Sequence, residues 1–180
     1  ASIYASTKLM QEHVLTQGLE QTGIACTILR LQNVYGAGQS LGNPYTGILS
    51  IFARKLLDGG EIDIYEDGAI VRDFVHVSDV VAAFRRVCDM ERIESQTLDI
   101  GSGRPVTIAE VATIMAEQLS LDRTRLRITG RFRPGDVRHA LADISAAKAN
   151  LNWAPAVDLR DGVAELLAWA RAMGMGRIPG

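Results

Sequence analysis

Two apolar runs restrict this chain more than anything else in it: IACTILRL at 24–31 and QTLDIGSG at 96–103. The first is rich in β-branched residues and poor in polar ones, the pattern of a strand covered on both faces, and the second reads as another buried strand ending in a glycine turn. Strands of that kind pair in parallel, and parallel neighbours need a long crossover, usually a helix. Helical patterns stand where such crossovers belong. Leu9, Met10, Val14, Leu15 and Leu19 recur at helical spacing, so 3–22 reads as one helix closing near Gly23. Asn43 and Pro44 supply a cap and a first-turn proline for a helix through about Asp58. Ser78 and Asp79 open another, running to about Met90. Thr107 and Glu110 form a capping box for a helix ending near Leu119. Asp143 caps a brief helix, and Asp158 caps the last, 159–172. Short strands are expected in 62–77, around an Asp67-Gly68 turn, and in LRIT at 126–129. Residues 32–47, with four glycines and Pro44, read as a long loop.

This alternation predicts an α/β fold with a parallel sheet. Two long buried strands are too few for a stable open sheet. Helix 3–22 also has no strand before it. The chain is therefore expected to be the back half of a larger α/β unit, without internal repeats or linkers.

Composition narrows the partners. A net charge of −2 gives no field toward nucleic acid or an anionic membrane. No apolar run reaches the roughly 18 residues of a membrane span, and the first residues lack the order of a signal peptide. Cys26 and Cys88 lie in apolar segments without metal-type spacing. They are expected to be buried reduced thiols, in keeping with a cytoplasmic protein. No metal site is expected.

Tyr4 and Lys8 are one helical turn apart and so share a face. An ammonium beside a phenol favours the phenolate, and such a phenol can take a proton from an alcohol while hydride leaves the same carbon. The pair alone is a weak signal. Five ordered motifs strengthen it: YASTKLMQE, LRLQNVYGAGQ, RDFVHVSDVVAA, LDIGSGRPVTIAEV and RPGDVRHALADISAAKANLNWAP. Together they resemble the extended short-chain dehydrogenase/reductase family, the nucleotide-sugar epimerases and dehydratases, over essentially the whole chain. RLQNVYGAGQSLGNPYTGILSIF is most similar to the 4-epimerases acting on dTDP-6-deoxyhexoses.

That resemblance implies an NAD-binding Rossmann fold, of which this is the C-terminal part, plus a small α/β substrate-binding domain. Residues 1–34 and 74–101 would belong to the first, and 35–73 with 102–180 to the second. Tyr4 would be the acid/base, and Lys8 its partner and a ligand of the nicotinamide ribose. Asn33 would contact the substrate near its sugar and diphosphate. Arg72 and Arg133 would pair with the diphosphate, for which two guanidinium forks are well shaped. Asp136 would lie near the nucleotide ribose. The Gly-rich dinucleotide loop, the acidic residue after the second strand and the hydroxyl partner of the tyrosine are not in this sequence. Ala37 stands where the family usually has proline.

The expected activity is that of an NAD-dependent 4-epimerase on a dTDP- or UDP-linked sugar, passing through a 4-keto intermediate. The same residues would also serve a 4,6-dehydratase or a reductase, and a non-catalytic nucleotide-binding remnant is the reading from outside enzymology. The isolated chain is expected to be inactive, and the full-length protein a homodimer built partly on helix 3–22. Other residues read as structure. Arg30 is an ion-pair candidate, His76 a hydrogen-bonded core histidine and Trp153 a packing anchor. Gly101 and Gly103 belong to a plain strand-to-helix turn.

Overall fold

In the computed structural model, which describes residues 3–41, 47–133 and 135–174, helices and strands alternate as the apolar patterning requires. The elements are α1 (Ile3–Glu20), β1 (Thr27–Leu31), β2 (Asn33–Tyr35), α2 (Ile48–Leu57), β3 (Ile62–Ile64), β4 (Val71–Arg72) and β5 (Phe74–His76). Then come α3 (Val77–Cys88), β6 (Gln96–Ile100), β7 (Val106–Thr107), α4 (Ile108–Gln118), β8 (Leu126–Ile128), α5 (Ser145–Leu151) and α6 (Leu159–Ala172). The two apolar runs pair as expected: β1 lies parallel to β6, with Thr27 opposite Gln96 and Leu31 opposite Ile100. β2 is parallel to β5 and β3 to β8, while β4 and β7 form a short antiparallel pair.

Two apolar clusters organise these elements. One gathers Val75, Val80, Leu98, Ile100, Ala142, Leu151 and Trp153, where α3 and α5 pack on β5 and β6. The other gathers Leu49, Phe52, Ile62, Ile64, Val111, Met115 and Leu166, where α2, α4 and α6 pack around β3. Trp153 anchors its loop through burial and through its indole N–H, which donates to the main-chain oxygen of Asp79 at 2.9 Å. The Thr107–Glu110 capping box forms in full. Asp158 caps α6 by accepting from the Arg160 N–H.

Several expectations change. The run 24–31 is not covered on both faces: β1 is only half-buried at Thr27–Leu29 and exposed at Arg30 and Leu31. Helix α1 buries none of its residues, so its apolar side chains stand open to solvent. Cys26 is half-buried and Cys88 exposed, because Cys88 closes α3 on its outward side; both thiols are free. The stretch 32–47 is not all loop, since Asn33–Tyr35 pairs with Phe74–His76. Its three residues are too short a run to stand out from their glycine-rich surroundings. The cap at Asn43 and Pro44 lies outside the described residues; α2 begins at Ile48 with Gly47 in the cap position. His76 rather than Ser78 caps α3, its ring accepting from the Ser78 N–H. Asp143 accepts from the Ser145 N–H at 3.0 Å, one residue ahead of the cap position of α5.

Two buried aspartates tie the connecting segments together. Asp73, fully buried between β4 and β5, pairs with no cation among the described residues. Its carboxylate instead accepts from the N–H groups of Ser102 (2.6 Å), Gly103 (3.0 Å) and Ala142 (3.2 Å), and from the Ser102 hydroxyl (2.7 Å). Four donors offset the loss of hydration that a buried anion suffers. Asp79, in the first turn of α3, accepts from the N–H groups of Ala156 (2.9 Å) and Val157 (3.2 Å). The fit is close: a Cβ at Gly101 would stand 2.5 Å from Asp73 Oδ2.

Replacing Asp73 by alanine should lower the unfolding free energy by about 3 kcal/mol or more, since four donors lose their acceptor at once. A urea denaturation midpoint equivalent to less than about 1 kcal/mol of loss would refute this. Gly162 lies inside α6, where alanine would ordinarily add about 1 kcal/mol. There a Cβ would instead run into the Tyr35 hydroxyl. Gly162→Ala should therefore lower the melting temperature, and a rise would show slack at that contact.

Candidate functional site

Tyr4 and Lys8 sit one turn apart on α1, and the Lys8 ammonium lies 5.8 Å from the centroid of the Tyr4 ring. That spacing is within the range of a cation–π contact. Lys8 Nζ also donates to Gln11 Oε1 at 3.3 Å. Tyr4 is 70% exposed, so its phenol is open to any group that approaches this face. The helix is tied to the strand beside it by a two-pronged ion pair: Arg30 Nε donates to Glu12 Oε1 at 2.9 Å, and Nη2 to Oε2 at 2.6 Å. Arg30 is thus the ion-pair partner expected of it, and its guanidinium holds the Glu12 carboxyl below the usual range.

Asn33 opens β2, and its amide is set by the neighbouring strand. Its backbone N–H and its side-chain Nδ2 both donate to the main-chain oxygen of Asp73, at 3.1 and 2.9 Å. The side-chain oxygen and the second amide hydrogen are thereby held in fixed directions. A cavity of about 170 Å³ lies against Asn33, bounded also by Tyr35, Gln39, Gly47, Ile48 and Phe74. A smaller cavity of about 120 Å³ lies between Phe74, Arg104 and Asp158. Arg104 and Asp158 pair there at 3.3 Å.

The basic loop 131–140 is laid along β4. Val71 N–H donates to the Arg138 carbonyl (2.8 Å), and Ala140 N–H donates to the Val71 carbonyl (3.2 Å). Arg138 reaches back to Glu66 and Asp67 beside the glycine turn. This fastening brings Arg72 and Asp136 together: Arg72 Nη2 meets Asp136 Oδ1 at 2.5 Å, and Nη1 donates to the carbonyl oxygens of Val137 and Val71. Arg133 lies over the Tyr65 ring, 5.3 Å from its centroid. Two guanidinium groups and an aromatic ring therefore line neighbouring stretches, Arg72 held by Asp136 and main-chain carbonyls and Arg133 by the Tyr65 face. Among the described residues, no hydrogen bond or ion pair joins Tyr4 or Lys8 to Asn33, Arg72, Arg133 or Asp136.

His76 is the hydrogen-bonded core histidine expected of it. Its Nδ1 lies 2.8 Å from the Ser78 hydroxyl, and its Nε2 3.7 Å from Glu165 Oε2. The Gly101–Gly103 turn is a plain one, in which the Ser102 and Gly103 amides both donate to the Asp73 carboxylate. Sequence reasoning passed over Asp73, Tyr65 and Gln39. A charged residue inside the apolar run VRDFVHV was the signal for Asp73, because such a group must be satisfied where it is buried. Nothing in the sequence marks Tyr65 or Gln39: the partner of Tyr65, Arg133, is far away in the chain, and the amide of Gln39 belongs to no motif.

Residues 1–101 match the model of the NAD dependent epimerase/dehydratase family. The chain is 44% identical over 168 residues to dTDP-L-rhamnose 4-epimerase of Burkholderia thailandensis, covering 93% of this chain and 46% of that protein. It is 29% identical to a putative UDP-glucose 4-epimerase of Methanocaldococcus jannaschii, covering 94% and 53%. The crystal structure of UDP-glucose 4-epimerase with UDP-glucose from Thermotoga maritima superposes with a TM-score of 0.87 at 32% identity, over 94% of this chain and 53% of that one. The chain thus spans about half the length of the relatives it matches. The order of elements, the parallel pairing and the family match agree: the chain belongs to the NAD dependent epimerase/dehydratase family, with an α/β fold of Rossmann type.

Proposed function

We propose that this chain is the C-terminal part of an NAD-dependent nucleotide-sugar 4-epimerase acting on a dTDP- or UDP-linked hexose. The observation that carries the reading is the 44% identity to a dTDP-L-rhamnose 4-epimerase, in a chain that keeps Tyr4 and Lys8 together on an open helix face. Residues 1–34 and 74–101 would complete a dinucleotide-binding domain, and 35–73 with 102–180 would hold the nucleotide sugar. The two apolar clusters support that division in the main, with residues 142–153 packing back onto β6. The uncovered apolar face of α1 supports burial against the N-terminal half and against a second subunit in a homodimer. Among the described residues no helix is long and apolar enough to cross a membrane, which accords with a place in the cytoplasm.

The residues present fit the cofactor on one side: a phenol and an ammonium, both exposed, can bond a ribose hydroxyl and face a nicotinamide. Bound NAD supplies the acceptor and donor of hydride. Tyr4 takes the proton from the C4 hydroxyl as the sugar becomes a 4-ketose, and returns it when the other face is reduced. Lys8 stabilises the phenolate by its charge. Asn33 holds the sugar end of the substrate, and Arg72 and Arg133 grip the diphosphate. Asp136 orients Arg72 and borders the nucleotide ribose.

The full-length protein should interconvert dTDP-L-rhamnose and its C4 epimer, as followed by chromatography of the nucleotide sugars. Inertness toward every 4-epimerisable nucleotide sugar with NAD bound would defeat the reading, and release of water would move it to a dehydratase. Tyr4→Phe should lower kcat by about 10²- to 10⁴-fold with little change in nucleotide affinity. Arg72→Ala should instead raise KM about tenfold or more, an outcome opposite in kind. A kcat effect alone at Arg72 would remove it from the diphosphate.

A further inference from the structure

The cavity beside Asn33 carries a second polar group, Gln39, whose amide is held from behind. Ser50 is fully buried in α2, and its hydroxyl donates to Gln39 Oε1 at 2.6 Å. A buried hydroxyl needs such a partner, and in this arrangement it donates to the amide oxygen. The oxygen faces the helix and the nitrogen faces Gly47, itself part of the cavity wall.

Gly47 supplies an independent observation. Its φ of −57° and ψ of 151° suit any residue, so the backbone does not call for glycine there. What a side chain at 47 would meet is the Gln39 amide: a Cβ would stand 3.0 Å from Nε2, and its nearest neighbours all belong to Gln39. The missing side chain leaves room around that nitrogen. The rest of the wall is Val34, Tyr35, Ile48, Leu49 and Phe74, and no charged residue lines the cavity among the described residues. An oriented N–H donor in a neutral, mostly apolar recess suits an uncharged acceptor oxygen. The anionic part of a nucleotide sugar is matched elsewhere, by Arg72 and Arg133.

We propose that Gln39, oriented by Ser50, is a specificity-determining residue that donates from Nε2 to a hydroxyl oxygen of the hexose in a nucleotide sugar. This rests on the reading of the chain as part of a nucleotide-sugar enzyme. Ser50 is a positioning residue that acts through Gln39, and Gly47 keeps the space open.

The test is calorimetric binding of dTDP-L-rhamnose and of dTDP to the full-length, NAD-loaded protein and to Gln39→Ala and Ser50→Ala, each checked by thermal melting. Gln39→Ala should weaken dTDP-L-rhamnose about tenfold, the loss of one good hydrogen bond, and change dTDP by less than about twofold. Ser50→Ala should act in the same direction by about threefold, and Ser50→Thr should restore affinity. Equal weakening of dTDP would move the contact to the diphosphate and overturn the proposal, as would unchanged affinity for the sugar nucleotide. Wild-type protein that binds dTDP-L-rhamnose without epimerising it would sink the functional reading while the Gln39 comparison stood. Wild-type protein that binds neither compound would overturn both.

Discussion

A single buried carboxylate sets the relative positions of most of what matters here. Among the described residues Asp73 has no counter-charge, so its burial is tolerable only while four donors from two segments converge on it. Those segments are the turn after β6 and the strand-like stretch at Ala142, both brought to the β4–β5 junction. Its main-chain oxygen meanwhile receives both donors of Asn33. Arg72 is the next residue. The groups proposed for the sugar and for the diphosphate are thereby fixed to one point of the backbone. Asp79 repeats the device six residues later, holding the segment that carries Trp153 and leads into α6.

Much of the fold was legible in the sequence because its signals are local. The capping box at Thr107 and Glu110, the cap at Asp158 and the apolar runs of β1 and β6 each depend on residues a few positions apart. The site was legible only through its motifs. Tyr4 with Lys8 is a one-turn pattern, whereas Arg72 with Asp136 is a meeting of distant segments that only the folded chain displays. Gln39 with Ser50 is local in sequence yet carries no motif, since an amide and a hydroxyl have ordinary uses everywhere. Burial was the least legible property. The periodicity of Leu9, Met10 and Val14 correctly marks a helix, but no pattern says what covers it, and among the described residues nothing does.

The basic loop illustrates how charge and chain direction cooperate. Main-chain bonds between Val71 and the 138–140 segment give the loop its course, and the Arg138 pairs with Glu66 and Asp67 close its far side. These surface pairs are individually weak. Their value is geometric, because they hold the loop where half-buried Arg72 bonds Asp136 and the Val71 and Val137 carbonyls. Arg133 is held differently, by the face of Tyr65.

The strand pairings carry a consequence for how such a polypeptide acquires its shape. Thr27 waits for Gln96, Asn33 for Phe74, Ile62 for Leu126 and Val71 for Thr107. None of these ladders closes through a tight hairpin, so each must await a distant stretch of chain. Loop-closure entropy is then met before any ladder rewards it, which makes assembly slow. During synthesis, β3 stays without its neighbour until residue 126 has emerged. The nascent protein is exposed to mispairing in that interval.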